Sequence, residues 1–404
     1  MKKTIFAFAL LAAAGVFAET TISVTRAAQR YPWNGLVDID YTVSGIEKDP
    51  VDYMVALTVT LDGTPYAAQH FLQCAGCDLP TADGTYRVTW DAQKDGAAVQ
   101  ASSVSVKGTI SHAPVTEKIA DYVIIDVSSG KNSTCYPIRY VRGADIPTDT
   151  FNVDLYKTTK IVLKCLPAQT CQIGQTGVVT PVHYAKFTHP FFMGLFEITQ
   201  SQYSLVVGKN PSGHTGGDTA LNVSMRPVEK MNWVLIESSD GFIQLLNART
   251  RYHGNAITGF QLPTEAQWEC TCRAGTTTKY FFGETSADLG RYAWYSGNAT
   301  TTMPVGLKEP NPWGFYDMCG NVVEWVYDSF KAYTAGVGLT PETAIEDPLY
   351  LVDVTEGRKI MRGGSRRLTP ENYFPSAYRQ DMDPTLYNNY SGDHAGFRIS
   401  KTLD

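Results

Sequence analysis

Cys74-Ala-Gly-Cys77 has the spacing of a redox dithiol or of half a zinc site. A redox pair of this kind precedes a helix, and a tetrahedral zinc site needs a second pair of ligands. No second CxxC exists and no helix-like pattern follows, so the pair reads as a hairpin-tip disulfide or two idle thiols. Cys165 and Cys171 flank a short loop containing Pro167 and could bridge. Cys270 and Cys272 are two apart on a helix-forming stretch and face different directions, a poor disulfide geometry. Those two and Cys319 read as buried free thiols, with a Cys272–Cys319 bridge as the alternative. The seven histidines form neither HxxxH nor HxH, which argues against a histidine metal centre.

Those side chains need a scaffold, and composition bounds it. The chain has 404 residues, 43% hydrophobic and 18% charged. That is enough for two or three domains of ~100–200 residues and for substantial cores. A net charge of -6 gives no electrostatic reason to expect nucleic acid as a partner. The 23 tyrosines suit β-rich architecture or an aromatic-lined groove. Lys2-Lys3, the apolar run Ile5 to Val16 and Val16-Phe-Ala18 form a secretory signal peptide cut after Ala18. An exported protein, periplasmic or extracellular, is expected. No later stretch approaches the ~20 apolar residues of a transmembrane segment, and no cysteine follows the cleavage site to carry a lipid.

Residues 19–117 read as an all-β sandwich of immunoglobulin or fibronectin type, built of short strands 8–12 residues apart. Val37, Ile39, Tyr41 and Val43 alternate onto one face, and Asp62-Gly63 marks a hairpin. Residues 118–157 form a connecting segment with strands near Asp121–Val127 and Tyr136–Val141, attached to either neighbour. From residue 158 to 404 helices and irregular loops alternate. Thr199 with Gln202 and Thr264 with Gln267 are capping boxes opening helices, the first ended by Gly208, the second turning Trp268 to the core. Ile236 to Arg249 carries Phe242, Leu245 and Leu246 at helical spacing.

Ordered blocks run through this last region: Pro190–Thr199, Asn210-Pro-Ser212, Arg226–Trp233, Phe260–Glu269 and Cys272-Arg-Ala-Gly275. Asn311-Pro-Trp-Gly314, Gly314–Trp325, Met361-Arg-Gly-Gly-Ser365 and Ala395-Gly-Phe-Arg398 complete them. In this order they resemble the formylglycine-generating enzyme, or sulfatase-modifying factor, family over some sixty per cent of the chain. The resemblance implies an α+β, C-type-lectin-like fold with little regular secondary structure, and oxidation of a substrate cysteine to formylglycine.

In that family a cysteine pair after Gly-Gly-Ser binds copper(I), as soft thiolates do. Here the two positions fall near Leu368 and Tyr373, so copper is not expected and the oxidase activity is in doubt. The resemblance also implies one calcium, held by the side chains of Asp317 and Glu324 and the carbonyls of Gly320 and Val322. Cys272 matches a family half-cystine whose partner position reads Ser376. Two main readings follow. One is a binding module for a protein, peptide or glycan, through a groove at Ser365, Arg366, Arg367, Tyr373 and Arg379 beside Trp294, Trp313 and Tyr378. The other is an enzyme of divergent, oxidoreductase-like chemistry using Glu371, Tyr373, Arg379 or Asp381. A third, formylglycine generation with Cys270 or Cys319, is the weakest.

Overall fold

The structure is a computed structural model that describes residues 20–30, 35–45, 53–68, 83–97, 100–112, 117–143, 150–217, 219–252, 255–353, 355–385 and 392–403. The signal segment and the Cys74/Cys77 pair lie outside the described residues. The chain divides into two units, Met1–Ala113 and Pro114–Asp404.

In the first unit Tyr53–Leu61 turns back onto Thr64–Ala67, with Leu61 opposite Thr64. Asp62 and Gly63 between them take φ of 47° and 86°. Two successive left-handed residues make the type I′ turn whose twist matches the strands, which is why Asp-Gly stands there. The Asp62 carboxylate then accepts the Ser102 hydroxyl and the N–H groups of Ser102 and Ser103, which hold its pKa down at about 2. Thr64–Ala67, Tyr53–Leu61 and Val104–His112 form one sheet; Thr21–Gln29, Leu36–Ser44 and Gly84–Asp91 form another. The expected alternation holds: Val37, Ile39, Tyr41 and Val43 are all buried, in one core with Val59, Leu61, Val88 and Trp90. The opposite face carries Asp38 and Asp40, paired with Arg30 and Arg87.

The connecting segment belongs to the second unit. Tyr122–Asp126 and Tyr136–Val141 pair with each other, and Tyr122–Asp126 with Lys160–Leu166, inside an eight-stranded sheet. Beyond Lys160–Leu166 that sheet continues through Phe191–Gly194, Ser400–Thr402 and Phe260–Gln261. Both capping boxes form, and Gly208 closes the first helix in the left-handed conformation. The helix expected from Ile236 to Arg249 is instead two, Trp233–Glu237 and Phe242–Arg249. Gly241 makes the break: a Cβ there would lie 2.6 Å from the Ile236 carbonyl oxygen, so the chain reverses where only glycine fits. Tyr203, Phe242 and Phe397 pack together, with ring centroids 5.8 Å apart for the first pair and 5.2 Å for Phe242–Phe397.

The cysteine expectations are corrected here. Cys171 is bonded to Cys270, not to Cys165, and Cys270 is therefore not a free thiol. Cys171 sits on Thr170–Gln175, a strand paired with Val179–Lys186 in a separate sheet, and the helix Glu265–Arg273 packs against it. Cys165 lies on the eight-stranded sheet and stays free, half-buried, its pKa pushed up to about 11 by burial and then by Asp121.

Candidate functional site

Four strands, Gln380–Met382, Lys359–Arg362, Val323–Ser329 and Ala395–Gly396, bring the sequence blocks side by side, with Glu324 opposite Arg362 and Val323 opposite Ala395. On these strands Glu324 and Arg362 are buried toward the helix Glu265–Arg273 and are paired. The Arg398 guanidinium donates to both oxygens of Glu324 at 2.7 Å, and Trp268 Nε1 donates to Glu324 Oε2 at 2.9 Å. Arg362 reaches Glu269 at 2.5 Å and Glu265 at 3.2 Å; Arg273 reaches Glu269 at 2.9 Å. Burial alone would raise the pKa of Glu269, and Arg362 and Arg273 more than offset it, so the group is held ionised. Buried charges survive only when paired in this way.

The Gly314–Trp325 loop closes over this frame. Asp317 and Asn321 take left-handed φ of 54° and 56°, and at Gly320 a Cβ would meet the Trp294 carbonyl oxygen at 2.3 Å. Glu197, from the Pro190–Thr199 block, lies under the loop and accepts from Asn321 Nδ2 and the Val322 N–H. Burial, then Asp317 and Glu324, push its pKa well up. Asp317 Oδ2 accepts the Gly306 N–H at 2.7 Å, while its Oδ1 is buried without a hydrogen-bond partner. Burial raises its pKa to about 6. Of the four expected calcium ligands, Asp317 thus offers an uncommitted oxygen. Both oxygens of Glu324 lie in the Arg398 fork, so a cation there would share Glu324 with a guanidinium.

The expected groove splits in two. Ser365 is fully buried and shapes a turn, accepting the Arg367 N–H on its hydroxyl. Arg366 and Arg367 converge on Asp393, at 2.7 Å and 3.0 Å. Arg366 also donates to the Thr300 carbonyl and to His214 Nε2, the latter at 2.6 Å. A guanidinium donor on Nε2 requires an unprotonated acceptor there, and the His214 pKa is lowered by burial and then by Arg366. His214 is held in place because its own N–H and that of Gly213 donate to buried Glu229. Asp393 titrates below the usual range: burial works upward, and Arg366 and Arg367 outweigh it. The Arg367 side chain is 38% exposed and that of Asp393 26%, so this cluster faces solvent. Tyr373 stacks edge-on against Tyr378 at 5.3 Å. Trp294 lies under Lys308, whose Nζ is 4.0 Å from its ring.

Arg379 is not part of that surface. It donates to both Glu265 oxygens at 2.6 Å and lies 4.1 Å over the Tyr333 ring, lining a separate cleft. Trp313 packs by Gly275, and its carbonyl accepts Lys164 Nζ. Asp381 pairs with Arg358, and the side chain of Glu371 lies outside the described residues. Sequence reading missed His214 and Asp393; the only available hint was a charged residue shortly before Gly396-Phe-Arg398.

Cys272 and Cys319 meet thiol to thiol in the core, exposed 0% and 1%, with Ser376 beside Cys272. Cys319 Sγ reaches the Phe374 carbonyl at 3.7 Å. The hydrogen bond that the Cys319 thiol donates to Cys272, then burial, drive the Cys319 pKa well up.

The sheets, the inward charge frame and the loop over it define an α+β domain of the formylglycine-generating-enzyme type. Residues 157–403 match the family described as sulfatase-modifying factor enzyme 1-like domain, and the chain belongs to that family. It is 27% identical over 180 residues to a chaperone protein LppX of Paenibacillus barcinonensis, covering 34% of this chain and 62% of that one. It is 32% identical over 157 residues to a formylglycine-generating enzyme of Mycobacterium tuberculosis, covering 35% and 50%. The chain thus spans about half to three-fifths of these relatives. Among solved structures, Treponema denticola variable protein 1 is similar with a TM-score of 0.50 at 24% identity, over 61% of this chain and 96% of that one. That likeness concerns the fold.

Proposed function

We propose that this chain is an exported, non-oxidising binding protein whose second unit presents the Arg366–Arg367–Asp393–His214 surface to a protein, peptide or glycan. The observation that carries the reading is where the thiols are. The positions near Leu368 and Tyr373 hold none, Cys270 is tied to Cys171, and Cys272 with Cys319 is sealed from solvent. At the positions where the family keeps its thiols a substrate cysteine has no thiolate to meet, whereas Arg367 and Asp393 reach the surface, with the buried Arg366 paired to the same Asp393. The first unit, read as an immunoglobulin- or fibronectin-type sandwich, would space or orient it. Among the described residues no helix is long and apolar enough to cross a membrane. Calcium belongs to the same proposal, supported by the uncommitted Asp317 Oδ1. Asp317, Glu324, Gly320 and Val322 would hold it, with Glu324 shared with Arg398, and it would brace the loop.

Two measurements test this. With copper(I) and a Cys-x-Pro-x-Arg peptide, oxygen uptake and aldehyde formation should stay at background. Glycan and peptide arrays should return a ligand whose binding falls at least tenfold in Arg367→Glu. Copper-dependent aldehyde formation, or array binding indifferent to Arg367→Glu, would sink the reading.

A further inference from the structure

The eight exposed large hydrophobic side chains among the described residues are not scattered. Six of them, Phe330, Val337, Leu339, Leu349, Tyr350 and Leu351, fall within one 22-residue segment. Isolated exposed apolar residues need no explanation, but a contiguous set beside a concavity marks an interaction site. The concavity is a cleft of about 390 Å³, with Val337, Leu349 and Tyr350 in its wall.

The walls are held apart by fixed contacts. Tyr184 donates its N–H to the Gly338 carbonyl at 2.7 Å, and Ile345–Glu346 pairs in parallel with Ala185–Lys186. Ser329 donates to the Tyr350 carbonyl at 2.7 Å, and Tyr350 donates to Asp328 at 3.3 Å. Asp347 accepts the Thr188 N–H at 3.0 Å. The cleft is therefore preformed, and a ligand need not pay to open it.

Its charge selects the occupant. Residues 332–357 contain five carboxylates, Glu342, Glu346, Asp347, Asp353 and Glu356, and no lysine or arginine. Of the cleft's lining carboxylates, Glu265 is held by Arg379 and Arg362 and Asp328 is buried, which leaves Asp347 and Glu346, the latter also touching Lys186, against Lys331 at the rim. Apolar walls under an acidic rim complement an apolar side chain flanked by lysine or arginine. The same acidic rim disfavours a second copy of this chain, because a two-fold contact would set carboxylates against carboxylates.

We propose that this cleft is a docking site for a polypeptide segment of a partner protein that carries apolar side chains between basic ones. It is a second surface, independent of the Arg366–Asp393 cluster.

The test uses the full chain and a fluorescein-labelled ten-residue peptide alternating leucine and lysine. Its controls are the leucine–glutamate and serine–lysine counterparts, read by fluorescence polarisation. The leucine–lysine peptide should bind at least tenfold more tightly than either control. Val337→Asp and Leu349→Asp, both at exposed positions, should each weaken it at least tenfold with an unchanged unfolding midpoint, while Arg367→Glu should not. Equal binding of the glutamate peptide, or binding indifferent to both aspartate variants, overturns the proposal. So would a dimer in sedimentation that Val337→Asp dissolves, which would assign the cleft to self-association.

Discussion

Arg398 grips Glu324 through two parallel hydrogen bonds of 2.7 Å each, with neither side chain reached by solvent. The same guanidinium donates to the Gly194 and Tyr316 carbonyls, so one side chain ties the end of the chain to three earlier segments. Removing one member leaves the other charged and buried. Arg398→Met should destabilise the second unit by about 3–5 kcal/mol. Glu324→Gln should cost a similar amount, and the paired Glu324→Gln/Arg398→Met variant less than the sum. Denaturant unfolding followed by tryptophan fluorescence checks this; additive losses would show that the pair does not act as a unit.

The Cys171–Cys270 bond closes a loop across 99 residues. Loops of that size carry a stabilisation of about 2–5 kcal/mol on the chain-entropy account. The Cys171→Ser/Cys270→Ser variant should lose that much. In the folded wild type, exposed Cys135 should react with a bulky thiol reagent while Cys272 and Cys319 react only after unfolding. Mass spectrometry of labelled peptides reads both points at once.

Asp328 gives a pH dependence with a definite sign. Burial, then the Glu265 charge, lift its pKa from 3.8 to about 7, against the lowering effect of two backbone N–H donors. Its folded form takes up a proton that the unfolded chain, titrating near 3.8, has already lost. The contribution is therefore complete below about pH 4 and lost as pH rises to about 7, up to about 4 kcal/mol in all. Glu237, raised by burial to about 7, acts in the same direction. Asp328→Asn should flatten the fall in stability between pH 4 and 7; an unchanged slope would remove Asp328 as its source.

The calcium proposal has a direct readout in stability. Excess calcium at a hundred times its dissociation constant should stabilise the wild type by about 2.7 kcal/mol. The gain should vanish in Asp317→Ala and with chelator present. Coincident melting curves with and without calcium would rule the ion out of the loop.

Much of this was readable from residue order. Thr199/Gln202 and Thr264/Gln267 announced their helices because a capping box is a local, three-residue device. The blocks from Phe260 to Arg398 announced the fold because their buried charges pair with one another, Arg362 with Glu269 and Arg398 with Glu324. What failed was non-local. Cys171 and Cys270 meet because a helix packs on a particular strand, which spacing does not encode. Gly241 splits a periodic stretch because a carbonyl crowds its Cβ position, and Asp393 joins Arg366 only after the chain has turned through the last sheet. Arg379 left the expected groove for Glu265, a partner 114 residues earlier.

Ser400–Thr402 pairs on one side with Phe191–Gly194 and on the other with Phe260–Gln261. During synthesis, therefore, both neighbours leave the ribosome long before the strand that must lie between them. The sheet remains two fragments, with unpaired edges open to wrong partners, until Ser400 emerges. The strand holding Lys401 between Phe192 and Phe260 is what joins those two fragments into one sheet.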